Sequence, residues 1–325
     1  MKVLVTGRLP DTILALIEKN HEVDINTQDK PMDRQKLLSK IGDKDGLLCM
    51  ITDCIDATLL NQAPNLKIIA NYGVGFNNID IDTATARGIL VSNTPGVLTD
   101  STADLAFALI LATARKLIEG DRITRAGEFK FWAPLHFLGQ DVSGKTLGII
   151  GLGRIGRAVA RRAAAFDMQV IYCGRQRLEK DVEKTLNVTY ADFKTLLKTS
   201  DFVSLHVPLT PQTNHLIGQN ELEQMKPTAY LINTSRGPVV DEKALFKALK
   251  NRVIRGAGMD VYENEPELTP GLSELDNVVL LPHIGSATIE TRTKMARMAA
   301  ENLLAGLNSK IPPNCLNCKA LYDKG

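Results

Sequence analysis

Three polar side chains each follow an apolar run in the last third of the chain. Arg236 lies in "LINTSRGPVVDEKAL", Glu265 in "GAGMDVYENEPEL", and His283, after Pro282, in "NVVLLPHIGSAT". All three fall at expected strand ends, where an open α/β sheet places its working residues. An arginine can clamp a carboxylate through two parallel hydrogen bonds and polarise an adjacent carbonyl. A histidine titrates near neutral pH and can protonate an oxygen as hydride arrives at its carbon. A carboxylate on the other ring nitrogen orients that imidazole and favours its protonated form. Each residue also has an ordinary explanation: an arginine after a strand can bond backbone carbonyls, and a Pro-His pair can simply end a strand.

A second set concerns phosphates. Gly151, Gly153 and Gly156 form a G-x-G-x-x-G in "KTLGIIGLGRIGRAVARRAAAF". The pattern is weak alone, but here it follows an expected strand and opens an alanine-rich helix, as dinucleotide binding requires. Gly151 permits the tight turn, Gly153 lets pyrophosphate approach the backbone, and Gly156 allows close helix–strand packing. The helix N-terminus, with Arg154 and Ile155, offers N–H groups and positive dipole potential. The next expected strand, "QVIYCG", ends at Gly174, where an acid would bind the ribose 2′-hydroxyl and repel a 2′-phosphate. Glycine removes both effects, and Arg175, Gln176 and Arg177 follow. Two guanidinium groups suit a phosphate dianion in charge and fork geometry, so NADP(H) is preferred with NAD(H) possible. The alternative is a solvated surface turn.

Short apolar runs alternate with helical patterns to hold these residues. "KVLVTG", "HEVDIN", "GLLCMIT", "LKIIANYG" and "GILVSN" read as strands, separated by helical spacings such as "PDTILALIEKN" and "MDRQKLLSKIG". One long helical stretch follows, residues 100–129, with Asp100 and Ser101 as expected caps and apolar residues on more than one face. A second series begins at "KTLGIIG" and continues through "MQVIYCG", "DFVSLHV", "AYLINTS", "IRGAGMDV" and "NVVLLP". Such continuous apolar strands belong to parallel sheets covered on both faces. The expectation is α/β: two doubly wound parallel-sheet domains with ligand between them.

The 325 residues suit two domains, and 44% hydrophobic with 23% charged residues suit a soluble globular protein. A net charge of +2 gives no nucleic-acid footprint, and the polar start after a few apolar residues is wrong for a secretory signal. No run reaches membrane-span length, so no membrane partner and a cytoplasmic location are expected. Five scattered cysteines fit reduced thiols; "CLNC" at Cys315 and Cys318 lacks a second pair or a nearby histidine, so no metal site is assigned.

"GLGRIG", "NTSRGPVVDE", "DVYENEP" and "LPHIGSAT", in that order and spacing, resemble the D-isomer-specific 2-hydroxyacid dehydrogenase family over nearly the whole chain. "WAPLHFLGQDVSGKTLGIIGLGRIG" and "NYGVGFNNID" narrow the resemblance to the glyoxylate/hydroxypyruvate reductase branch. It implies a Rossmann cofactor domain, 100–287, inserted into a flavodoxin-like substrate domain of 1–99 and 288–325. It implies Arg236 for substrate binding and carbonyl polarisation, His283 as proton donor and Glu265 as its partner. Val74 and Gly75 would offer backbone N–H groups to the substrate carboxylate. Gly153 to Gly156, Arg175 to Arg177, Thr234, Ser235, Arg236, Asp260, His283 and Gly285 would surround the cofactor. His206 matches a family position near the cofactor, whereas His136 and His215 read as packing or surface residues. The implied partner is a small 2-oxo acid, the implied assembly a homodimer, with Trp132 in the segment that often reaches the neighbouring subunit. The implied activity is NADPH-dependent reduction of glyoxylate to glycolate and hydroxypyruvate to D-glycerate. A 2-ketogluconate reductase, or a cofactor-sensing binding protein, would carry the same motifs.

Overall fold

Every pairing between strands in the computed structural model, which describes residues 1–322, is parallel. The chain divides into two units, Met1–Leu98 with the segment from Ala287 onward, and Thr99–Ser286. The first unit holds β1 (Lys2–Val5), β2 (Glu22–Ile25), β3 (Gly46–Met50), β4 (Ile68–Tyr72) and β5 (Leu90–Ser92), in the order β2-β1-β3-β4-β5. The second holds β6 (Thr146–Ile150), β7 (Gln169–Cys173), β8 (Val188–Tyr190), β9 (Phe202–Leu205), β10 (Tyr230–Asn233), β11 (Gly256–Met259) and β12 (Val278–Leu280). Their order is β12-β11-β10-β9-β6-β7-β8.

The central strands β4, β9, β10 and β11 are buried at every residue, which is why they read as unbroken apolar runs rather than alternating ones. Several of the connecting helices start on a side-chain cap. Asp33, Asp56, Asp80, Asp192, Asp241 and Thr288 each accept from backbone N–H groups of the following turn. The helix Ile289–Leu307 belongs to the first unit and buries Met295, Ala299 and Leu303 there.

Two expectations about the elements need correction. The long helical stretch is two helices, Thr99–Arg115 and Leu117–Arg125, broken where Lys116 adopts a left-handed backbone at φ 54°. The chain returning at Gln140 donates to the Ala114 carbonyl at 2.8 Å and so caps the first helix from outside. That helix also opens at Thr99, so Asp100 lies in its first turn rather than before it. The other correction is β8, three residues at the sheet edge, too short to stand out as an apolar run. Among the described residues no helix is long and apolar enough to cross a membrane.

Cys315 and Cys318 form a disulfide, correcting the expectation of five free thiols; Cys49, Cys54 and Cys173 are free. The loop before the short helix Cys318–Tyr322 brings their Cα atoms to 5.8 Å, within the usual range for a disulfide.

Candidate active site

The turn after β10 presents Arg236. The Asn233 side chain, fully buried, accepts from Ser235 N at 3.0 Å and Ser235 Oγ at 2.8 Å and donates to the Arg236 carbonyl at 3.0 Å. Arg236 Nη1 donates to the Ser235 carbonyl at 2.7 Å. Burial pulls the guanidinium pKa down and the nearby Glu265 charge opposes this. An arginine so placed stays cationic at neutral pH.

Glu265 comes from the loop after β11. One carboxylate oxygen accepts from Tyr262 N at 3.0 Å, and the other meets His283 Nδ1 at 2.8 Å. Burial pushes the Glu265 pKa up, but the His283 hydrogen bond and charge, the Tyr262 N–H and the Arg236 charge together outweigh it, and the group ends below the ordinary value of 4.5. The loop is tied at two points by the buried Glu242, which accepts from Glu263 N at 2.9 Å and Thr269 N at 2.6 Å.

His283 follows β12 with φ 54°, a left-handed conformation that a residue with a side chain seldom adopts. Asp260, at the end of β11 and 1% exposed, holds the turn beyond it: Oδ1 accepts from Ile284 N at 2.7 Å and Oδ2 from Gly285 N at 2.8 Å. Burial raises the Asp260 pKa, and those two backbone hydrogen bonds oppose the rise. Arg236, Glu265 and His283 are therefore gathered at the carboxyl ends of three adjacent strands of one sheet. The imidazole points Nδ1 at Glu265, and Nε2 makes no hydrogen bond among the described residues.

The same sheet carries the glycine loop. Gly151 takes φ 94°, and a Cβ there would meet the His206 carbonyl at 2.7 Å. A Cβ on Gly156 would run into the Gly151 carbonyl, whereas Gly153 faces open space. The helix Arg154–Ala164 begins at Gly153 with no side-chain cap, leaving its first N–H groups, including those of Arg154 and Ile155, to another acceptor. Thr234 Oγ1 is buried without a hydrogen-bond partner among the described residues. An uncapped helix start beside glycines, together with an orphaned buried hydroxyl, fits a bound dinucleotide.

At the end of β7 the two arginines differ. Arg177 pairs with Glu183 through Nε–Oε1 and Nη2–Oε2, both 2.9 Å, and lies over the Tyr190 ring at 5.6 Å. Tyr172 also donates to Glu183, at 2.7 Å, and accepts from Leu178 N, so Arg177 belongs to a network that folds its own loop. Arg175 and Gln176 are exposed, and Arg175 makes no ion pair among the described residues.

Val74 and Gly75 lie in the first unit, after β4, and neither backbone N–H has a hydrogen-bond partner among the described residues. His206 Nε2 meets Ser204 Oγ at 2.8 Å, and burial pushes its pKa down to about 4, so the ring is neutral. His215 pairs with Glu263 at 2.8 Å, and His136 packs on Phe131 with ring centroids 5.3 Å apart. Sequence reasoning missed Asn233 and Glu242 and the turn-holding geometry of Asp260. The only sequence signal for Asn233 and Asp260 is a polar residue closing an apolar strand.

Residues 107–285 match the family profile "D-isomer specific 2-hydroxyacid dehydrogenase, NAD binding domain". The chain belongs to the D-isomer specific 2-hydroxyacid dehydrogenases. Within that family it falls in the glyoxylate reductase branch. It is 54% identical over 320 residues to the glyoxylate reductase of Thermococcus litoralis, covering 97% of this chain and 96% of that one. A crystal structure of a Thermus thermophilus protein superposes with a TM-score of 0.91 at 45% identity, covering 97% of this chain and all of the other. An NADPH-dependent glyoxylate/hydroxypyruvate reductase from Sinorhizobium meliloti, solved with NADP and malonate, gives a TM-score of 0.86 at 33% identity. That match covers 97% of this chain and 96% of the other. The parallel five- and seven-stranded sheets are thus those of 2-hydroxyacid dehydrogenases.

Proposed function

We propose that this dehydrogenase is an NADPH-preferring reductase of small 2-oxo acids, converting glyoxylate to glycolate and hydroxypyruvate to D-glycerate. The observation that carries the reading is the 2.8 Å His283–Glu265 pair beside the half-buried Arg236, with His283 Nε2 left open. In this account Arg236 binds the substrate and polarises its carbonyl, and the free N–H groups of Val74 and Gly75 take the carboxylate. His283, protonated on both nitrogens, gives the Nε2 proton to the carbonyl oxygen as that oxygen gains negative charge. Glu265, meeting Nδ1, fixes the orientation of the ring. When bound, the nicotinamide supplies the hydride. The Gly151–Gly156 loop, the helix start at Arg154 and Ile155, Thr234, Ser235, Asp260 and Gly285 would hold the dinucleotide. Arg175, with Gln176, would take the 2′-phosphate, while Arg177 braces the loop. The glyoxylate reductases among the relatives and the NADP-bound neighbour support this choice of substrate and cofactor.

The exposed run Phe129, Phe131, Trp132, Leu135 and Leu138 supports a homodimer, since so much apolar surface in one short segment marks an interaction site. Absorbance loss at the nicotinamide band, with NADPH and NADH against glyoxylate and hydroxypyruvate, tests the function. Faster NADPH oxidation with either acid is the expected result. Oxidation no faster than the blank with both acids would reject it.

A further inference from the structure

The Val74 and Gly75 N–H groups point where their carbonyls do not, because C=O and N–H are opposed across a planar trans peptide. The Gly73 carbonyl, in the peptide whose N–H is Val74's, accepts from Thr94 N at 3.0 Å. The Val74 carbonyl, in the peptide whose N–H is Gly75's, accepts from Asn93 Nδ2 at 2.7 Å. Both carbonyls are thus drawn to the same two residues beyond β5, and both N–H groups are turned away from them. The next carbonyl, of Gly75, accepts from the buried Asn71 side chain at 2.8 Å. Thr94 acts through its backbone, which most substitutions would leave in place. The Asn93 side chain is the replaceable part.

Asn93 is itself fixed from behind. It is 6% exposed; its carbonyl accepts from Asn302 Nδ2 at 3.0 Å, and its N–H donates to the Asn314 carbonyl at 3.3 Å. Asn302, fully buried on the helix Ile289–Leu307, also accepts from Asn314 N at 3.1 Å. An amide held on both sides, donating a 2.7 Å bond to one loop carbonyl, is a rigid support for that peptide plane.

We propose that Asn93 is a positioning residue for carboxylate binding: it orients the Val74–Gly75 peptide so that its N–H is presented to the substrate carboxylate. The proposal rests on the reading of Val74 and Gly75 given above. Without the Asn93 donor the peptide plane is held only through its neighbours, and ordering it then weakens substrate binding. Loss of a ground-state contact that persists in the transition state raises KM and leaves kcat nearly unchanged.

The test uses the full-length protein with Asn93→Ala and Asn93→Leu, the second filling the side-chain space without a donor. Steady-state rates with glyoxylate are read together with the backbone amide resonances of Val74 and Gly75 in ¹⁵N-labelled protein, titrated with oxalate in the presence of NADP⁺. The expected result is a KM raised about tenfold in both variants, the loss of roughly one hydrogen bond, with kcat changed less than about threefold. In wild type the two amides shift with oxalate, and in the variants the titration midpoint rises in step with KM. Wild-type shifts with unchanged KM in a folded variant would overturn the role of Asn93 alone. Turnover of glyoxylate by wild type, with Val74 and Gly75 amides unmoved by oxalate, would overturn the carboxylate site and the role of Asn93 with it. Because that arm needs no substitution, it decides even where a variant does not fold.

Discussion

At the level of single residues, Glu265 shows how burial and pairing compete. Burial alone would keep this carboxyl protonated to higher pH, yet the His283 contact, with the Tyr262 N–H and the Arg236 charge, leaves its pKa below 4.5. A lowered folded-state value means that the carboxylate adds stability above the unfolded value, which is lost as pH falls through the folded one. Glu265→Gln removes that charge and weakens the hold on the imidazole at Nδ1. The expected outcome is a kcat lower by about tenfold or more with NADPH binding unchanged, since the ring loses the partner that orients it; an unchanged kcat would separate Glu265 from the proton transfer. The arginines after β7 make a second residue-scale test. Arg177 already commits its fork to Glu183, so Arg177→Ala should lower the unfolding temperature and affect NADPH and NADH alike. Arg175→Ala should raise the KM for NADPH by roughly tenfold to a hundredfold, the loss of a charge-assisted bond, and leave NADH unchanged. Equal effects on both cofactors would reject Arg175 as the phosphate ligand. The sequence carried residue types here but not their division of labour: two arginines two apart read alike until Glu183 and Tyr190 are brought beside one of them.

At the level of elements, turns after strands set the positions of the reactive groups. His283 is held at positive φ, at a cost of order 1–2 kcal/mol, and the two hydrogen bonds to Asp260 are of a size to offset it. Asp260→Ala should therefore let the turn relax and lower kcat by about tenfold or more, with the seven-stranded sheet intact by circular dichroism. A kcat equal to wild type would show that the turn keeps its shape without Asp260. Eleven of the strands stand out in the sequence, the inner ones because buried parallel strands are apolar on both faces. β8 was not legible, since three edge residues make no run. Nor was the break at Lys116: the sequence on either side favours helix, and the interruption depends on the chain returning to Ala114 from Gln140. The side chains that hold the turns, Asn233, Glu242 and Asn93, were hidden for the same reason, since what each one holds shows only once the chain is folded.

At the level of the whole molecule, stability and assembly add two further outcomes. Asp53 is buried in the first unit, accepts from Thr6 Oγ1 and Met50 N, and has its pKa raised by desolvation. An acid whose folded value is raised loses stability as pH climbs through its titration, so Asp53→Asn should raise the unfolding temperature at pH 7. The gain should vanish toward pH 4, and a gain that persists there would place the effect elsewhere. The exposed aromatic run around Trp132 predicts twice the monomer mass by light scattering, reduced by Phe131→Asp with Trp132→Asp. Four motifs in register made the family legible from the sequence, because glycine turns and strand-end polar residues keep fixed spacings when the fold is kept. The disulfide was not legible, because a lone C-x-x-C carries no mark of its pairing until the loop closes.

The proposed mechanism turns on His283 as the proton donor in reduction of a small 2-oxo acid. It is tested most directly by following NADPH absorbance with glyoxylate for wild type and His283→Ala, alongside NADPH binding measured by fluorescence titration. Wild type is expected to turn over, with kcat lower by about 10²–10⁴-fold in the variant and an unchanged NADPH Kd. A variant that keeps its kcat, or one that loses NADPH binding with kcat intact, would contradict it.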